Sequence, residues 1–271
     1  MKKIILIICA TTLFVACSKS SSDDAPVVPS TSGVFISRVE TTRDDGTTKI
    51  ERFTYDGNKI VELTLSATQK VRYIYVDGQI DNSQSFFNNI NTGTTSYTYT
   101  SGKLTNIYRT EIANNGTGNT YTSRNAFVHD TPNNKISFTR YSINSSNVET
   151  IIGSGTYTYL NGNLTKETYT CTTFNEVINY TYDTKNNAVR NILGFDKLIE
   201  NEQFSLNNVL SSSQARNETP SSGSPYATTL NNTYNYIYNS NNYVTSEVRI
   251  QTATNPFIQI PSRTQTTNYF Y

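Results

Sequence analysis

Tyr157-Thr158-Tyr159-Leu160-Asn161-Gly162-Asn163-Leu164 carries, in eight residues, the pattern from which this chain is built. Two aromatic side chains one residue apart share a face of an extended strand. Asn161-Gly162 supplies the positive φ angles of a two-residue hairpin turn whose twist matches the flanking strands. Leu164 then opens the returning strand.

Counterparts recur along the chain. The aromatic pair is Phe53 and Tyr55, Tyr73 and Tyr75, Tyr97 and Tyr99, Tyr157 and Tyr159, Tyr180 and Tyr182, or Tyr236 and Tyr238, with Phe127/His129 and Phe204/Leu206 as variant copies. Turn residues follow each pair: Asp56-Gly57-Asn58, Asp77-Gly78, Ser101-Gly102, Asp130 to Asn134, Asp183 to Asn187, Asn207-Asn208 and Asn239 to Asn242. Ile60, Ile80, Leu104, Ile136, Val189, Val209 and Val244 open the return strands. Eight hairpins are expected, at an interval typical of stacked supersecondary units.

Alternation puts the rings on one face and Ser96, Thr98 and Thr100, for example, on the other. A bilayer-spanning barrel needs an outward apolar band, whereas one face here is mostly Thr, Ser and Asn. The expectation is a water-soluble antiparallel sheet with a tyrosine-rich face. Asn268-Tyr269-Phe270-Tyr271 repeats the aromatic half of the pattern, and either closes a barrel against the first strands near Val34 to Val39 or forms a capped edge.

Two stretches break the rhythm. Ile192, Phe195, Leu198 and Ile199 are spaced as in a helix, predicting one short helix near 191–200 that plugs an open end of the sheet. Ala215 to Ala227, with Pro220, Gly223 and Pro225, predicts a long surface loop.

Composition narrows the function classes. Charged residues are 16 % and aromatics 12 %, with 22 basic against 21 acidic side chains. Nucleic acid is not an expected partner, because phosphate binding needs a concentrated basic face. Cys9 lies in the leader and Cys17 at its end, so Cys171 is the one cysteine left in the body of the chain, which excludes a disulfide framework there.

The leader itself is informative. Lys2-Lys3 precede an apolar run, Ile4 to Val15, that is too short to span a bilayer and reads as an export signal, residues 1–16. Leu13-Phe14-Val15-Ala16-Cys17 resembles a lipobox, departing from the usual pattern at Phe14. The resemblance implies cleavage between Ala16 and Cys17 and a lipid on the Cys17 sulfur. The alternative is an ordinary secretory signal with an accidental cysteine. Residues 17–33 are small, polar and proline-containing, as a flexible tether is. Within them Ser22-Asp23-Asp24 resembles the acidic surface-export signal of Bacteroidota lipoproteins, or is a generic acidic linker. Residues 34–271 make one repetitive domain.

The repeats resemble the tyrosine-aspartate (YD) repeats of bacterial toxin shells. Tyr180 to Asn187, Gly194 to Leu198 and Asn207 to Val209 are more closely similar to a family of Bacteroidota lipoproteins of unknown function with a porin-like fold. That resemblance implies an all-β chain, a meander of about 14 to 17 strands curled into a porin-like barrel or half-barrel. It implies an address in the outer membrane and no activity.

Chemistry is sparse. His129 occupies an aromatic slot and is read as a ring substitute. Asp56, Asp77 and Asp183 sit where turns favour Asp. With one His and one body cysteine, a His-rich or thiolate metal site cannot be assembled, and no catalytic residue, metal or cofactor is expected. The expected function is non-enzymatic: an outer-membrane-anchored lipoprotein binding a glycan or peptide through Tyr73, Tyr75, Tyr97, Tyr99, Tyr157, Tyr159, Tyr180, Tyr182, Tyr236 and Tyr238. The alternative is a structural envelope protein with those tyrosines as its core. A carbohydrate-active enzyme ranks below both.

Overall fold

The computed structural model describes residues 33–112, 120–220 and 223–271. The export signal, Ala16, Cys17, Ser22, Asp23 and Asp24 lie outside these residues. Sixteen strands run in chain order: β1 Arg38–Arg43, β2 Thr48–Asp56, β3 Lys59–Thr64, β4 Gln69–Val76, β5 Gln79–Phe87, β6 Ile90–Thr100, β7 Lys103–Ile112 and β8 Thr120–Asp130. They continue as β9 Lys135–Ile143, β10 Glu149–Leu160, β11 Asn163–Thr170, β12 Phe174–Tyr182, β13 Val209–Glu218, β14 Tyr226–Tyr238, β15 Val244–Thr254 and β16 Arg263–Phe270.

Each strand pairs antiparallel with its sequence neighbours, and β16 pairs with β1, Tyr269 opposite Val39. The sheet is therefore a closed barrel with no free edge, and the last aromatic strand is its seam. Asp77-Gly78, Ser101-Gly102 and Asn161-Gly162 all take positive φ at both residues, the geometry of the mirror-image turn expected for them.

The repeat encodes a bulge as well as a turn. The register slips between the residue ahead of the second aromatic and that aromatic in β2, β4, β6, β10, β12 and β14. In three copies the extra residue is a threonine whose hydroxyl closes the kink: Thr105 to the Thr98 carbonyl, Thr165 to Thr158 and Thr245 to Ile237, each at 3.1 Å. Such bulges raise local twist and splay neighbouring hairpins at the rim.

Splaying strands leaves carbonyls without ladder partners, and the rings satisfy them. Tyr99 Oη donates to the Ile80 carbonyl at 3.0 Å, Tyr182 to Leu164 at 2.6 Å, Tyr236 to Val209 at 2.6 Å, Tyr271 to Val244 at 2.8 Å and Tyr55 to Ile36 at 2.8 Å. The acceptors are mostly the apolar residues that open return strands. His129 Nε2 donates to the Leu104 carbonyl at 2.7 Å, so it fills the tyrosine role as expected. Tyr182→Phe removes the donor from Leu164 and a partner from Ser205. It is expected to cost about 1 to 3 kcal/mol in urea unfolding.

Two expectations about the repeats need correction. The copies at Tyr180/Tyr182 and Phe204/Leu206 are not two hairpins, because β12 returns only at Val209, and Val189 opens no strand. Asp183 clamps the neck of the excursion: its Oδ1 accepts from the amides of Lys185 and Asn208, both at 3.0 Å, and its own amide bonds the Asn208 carbonyl. Residues 184–207 are looped out as a plug. The predicted helix near 191–200 is only a single 3₁₀ turn, Phe195–Lys197, followed by another at Glu202–Phe204. Gly194, at φ +82°, interrupts the backbone ahead of the first turn, and extended Leu198 ends it.

The predicted spacing still does its packing job. Ile192, Phe195 and Leu198 are buried with Ile60 and Ile80, and Ile199 joins a second cluster around Leu104, Phe138 and Tyr157. The long loop also needs correction. Ala215 pairs with Thr229 and Asn217 with Ala227, which confines the connection to residues 219–225, between Glu218 and Tyr226.

Candidate lumenal site

The tyrosine face is the inside of the barrel. Tyr157 is fully buried and stacks on Phe138, ring centroids 4.5 Å apart. Tyr75, Tyr99, Tyr159 and Tyr180 pack against the core clusters, and Tyr75 and Tyr159 bond the plug carbonyls of Leu193 and Ile199 at 3.1 and 2.7 Å. Tyr182 and Tyr238 are tied to the rim, the latter to Asp183. Burial raises these phenols, Tyr75 to about 12. Of the ten candidate tyrosines, Tyr73, Tyr97 and Tyr236 line the two chambers beside the plug.

Two chambers flank the plug. The first, about 590 Å³, lies between the plug and the β1–β2 and β14–β16 walls. Its apolar lining includes Ile36, Val39, Val189, Val209 and Val244, and its rings are Phe53, Tyr234, Tyr236 and Tyr269. Glu202 projects from the plug, and Glu247 and Arg249 from β15. The second, about 530 Å³, is lined by Tyr73, Tyr97, Arg109, Asn125, Arg140 and the plug residues Leu198 to Asn201. Here the Glu200 carboxylate is held by both Arg109 and Asn125.

The charged lining follows from alternation: positions two residues beyond an inward ring also face inward. Thus Arg140 follows Phe138, Glu167 precedes Tyr169, and Glu247 and Arg249 share the inward parity of β15. The Arg140 guanidinium lies 4.5 Å from the Tyr169 ring centroid and 3.7 Å from Glu167. These charges are not among the sequence-based candidates, because no local motif marks them and only strand alternation turns them inward.

Burial outweighs Arg140 at Glu167, whose side chain is only 13 % exposed, and pushes its carboxyl up to about 7 from 4.5. Between those values the folded chain keeps a proton that the unfolded chain has lost, so stability falls as pH rises through that window. The penalty is complete above about pH 7, at roughly 3 kcal/mol. Glu167→Gln is expected to flatten this part of the stability profile and to raise the melting temperature at pH 8. An unchanged pH slope would contradict the assignment.

Among the described residues no group of three His, Cys, Asp or Glu side chains has the arrangement of a metal site.

Neither a family model nor a curated protein matches the chain. Solved structures do. A porin-like protein from Bacteroides vulgatus superposes with a TM-score of 0.53 at 13 % identity, covering 88 % of this chain and 99 % of that one. A porin-like protein from Bacteroides uniformis gives 0.53 at 15 % identity, covering 87 % and 96 %. At such identity the likeness establishes the fold, and the chain is an all-β barrel similar to these porin-like proteins.

Proposed function

We propose that this chain is a lipid-anchored envelope protein whose water-facing barrel takes a small ligand into its lumen and performs no chemistry on it. The supporting observation is the plug: it packs into the barrel core and leaves two charged, ring-bearing chambers beside it, each of a size suited to small ligands.

The outer wall favours water over lipid. Outward positions include Lys70 and Arg72 on β4, which pair with Glu62 at 3.6 and 3.0 Å. They also include Thr94, Ser96 and Thr98 on β6, and Thr229, Asn231, Thr233 and Asn235 on β14. A basic residue facing lipid at the bilayer midplane costs about 2 to 4 kcal/mol. Exposed apolar side chains are interspersed with these polar ones, Val128, Leu160 and Ile237 beside turns and Ile74, Ile151 and Ile250 within strands.

Ligand-observed NMR against a library of glycans, peptides and small metabolites tests lumenal binding. Val189→Phe and Ser123→Phe each fill one chamber, so every hit is expected to disappear in one of the two variants. Hits that survive both would contradict the proposal. Anchoring is tested by radiolabelled palmitate: labelling of the wild type and none of Cys17→Ala is expected, and equal labelling would contradict it.

A further inference from the structure

Resting on the lumenal reading above, we infer that the second chamber is a site for a small organic anion, a carboxylate joined to an apolar body and held by Arg140.

The donors of the chamber carry the inference. Two arginines, Arg109 and Arg140, and one carboxylate, Glu200, stand in its lining. Glu200 is already taken, since Arg109 donates to its Oε2 and the Asn125 amide to its Oε1. Arg140 is oriented by rings instead, its guanidinium 4.5 Å from the Tyr169 centroid and 5.0 Å from that of Phe138. Its Nε is buried without a partner, as is the Tyr157 hydroxyl beside it. Glu167, on β11 and outside the lining, approaches to 3.7 Å, too far for a hydrogen bond. Burial, helped by the nearby Glu176, Glu202 and Glu200, holds that carboxyl up at about 7, so near neutral pH it balances Arg140 only in part. The Arg140 side chain is 32 % exposed and lines the chamber, so its fork can meet a ligand.

A carboxylate supplies what that fork lacks. Two parallel N–H to oxygen bonds between a guanidinium and a carboxylate are among the strongest polar contacts a protein makes. Glu200 on Arg109 shows that the chamber accommodates a carboxylate beside an arginine. Tyr73, Tyr97, Ile107, Leu198 and Phe204 line the same space and accept the apolar body. A neutral ligand would leave the Arg140 charge short of a partner in a half-buried space, which is costly.

Isothermal titration calorimetry of the Gly33–Tyr271 domain, whose barrel closes through its own first and last strands, tests the assignment. The probes are hexanoate, hexanol and hexylamine, equal in length and differing in charge. Hexanoate is expected to bind at least about tenfold tighter than the other two, to lose about tenfold in Arg140→Gln, and to gain about tenfold in Glu200→Gln, which removes the competing carboxylate from Arg109. Binding is also expected to vanish in Ser123→Phe and to persist in Val189→Phe. Should Arg140→Gln fail to unfold cooperatively, Glu200→Gln and Ser123→Phe decide alone. Hexanol or hexylamine binding as well as hexanoate, hexanoate affinity unmoved by both charge substitutions, or hexanoate binding that survives Ser123→Phe would overturn the anion assignment while leaving lumenal binding intact. No heat from hexanoate would overturn it too, and an empty library screen besides would overturn lumenal binding as well.

Discussion

Gly155→Ala is expected to destabilise the barrel by about 3 kcal/mol or more, one of the two strongest effects foreseen for single substitutions. Gly155 faces inward on β10 between Phe138 of β9 and Tyr169 of β11. A Cβ there would stand 1.9 Å from the Thr168 carbonyl oxygen and 2.6 Å from Phe138 Cζ. The first contact is with backbone and cannot be relieved by a rotamer change. The rings of Phe138 and Tyr169 lie nearly parallel, 6.1 Å apart, across the gap that the missing side chain leaves. Glycine is thus the socket that lets two neighbouring strands share one aromatic layer. Urea unfolding measures the loss, and a midpoint within error of the wild type would refute the packing described for β9 to β11.

Phe195→Ala is expected to cost about 3 to 5 kcal/mol, the range for truncating a buried phenylalanine. Phe195 anchors the plug, with its ring 5.1 Å from that of Phe204 and 5.9 Å from that of Tyr73. Ile60, Ile80, Ile192 and Leu198 complete the cluster. The plug is core and not an appended loop, so the loss should appear as global destabilisation. Hydrogen exchange at Leu193, which donates to the Asn58 carbonyl, and at Leu198, which donates to the Phe195 carbonyl, reports the plug directly. Faster exchange confined to those amides, with the barrel midpoint unchanged, would show that the plug moves independently.

The hairpins were legible because their signals are local. Asn161-Gly162 fixes a turn, Tyr157 and Tyr159 fix a face, and Leu164 fixes the return, all within eight residues. Closure of β16 on β1 was one of two readings, since nothing in Asn268 to Tyr271 reveals whether a partner strand exists 230 residues away. The failures have specific causes. Val189 looks like a strand opener, but Asp183 binds Asn208, and that long-range clamp overrides the local turn signal in Asn186-Asn187. Gly194 was the visible sign that the apolar stripe from Ile192 to Ile199 would not run as a continuous helix.

The site was less legible than the fold for the opposite reason. Ten tyrosines were candidates, yet the barrel uses most of them as core and as donors to rim carbonyls. What remains open to a ligand is defined by Glu202, Glu247 and Arg249 in one chamber and by Glu200, Arg109 and Arg140 in the other, which converge only because the plug crosses the lumen. Strand alternation alone placed Glu247 and Arg249 on the inward face. No local pattern placed Glu202 opposite them.

Flotation of the Gly33–Tyr271 domain with liposomes tests most directly the claim that this barrel stands in water and works through its interior. The domain is expected to be monodisperse without detergent and to stay at the bottom of the gradient, apart from the lipid. A domain that needs detergent to remain in solution, or that floats with the vesicles, would contradict that claim.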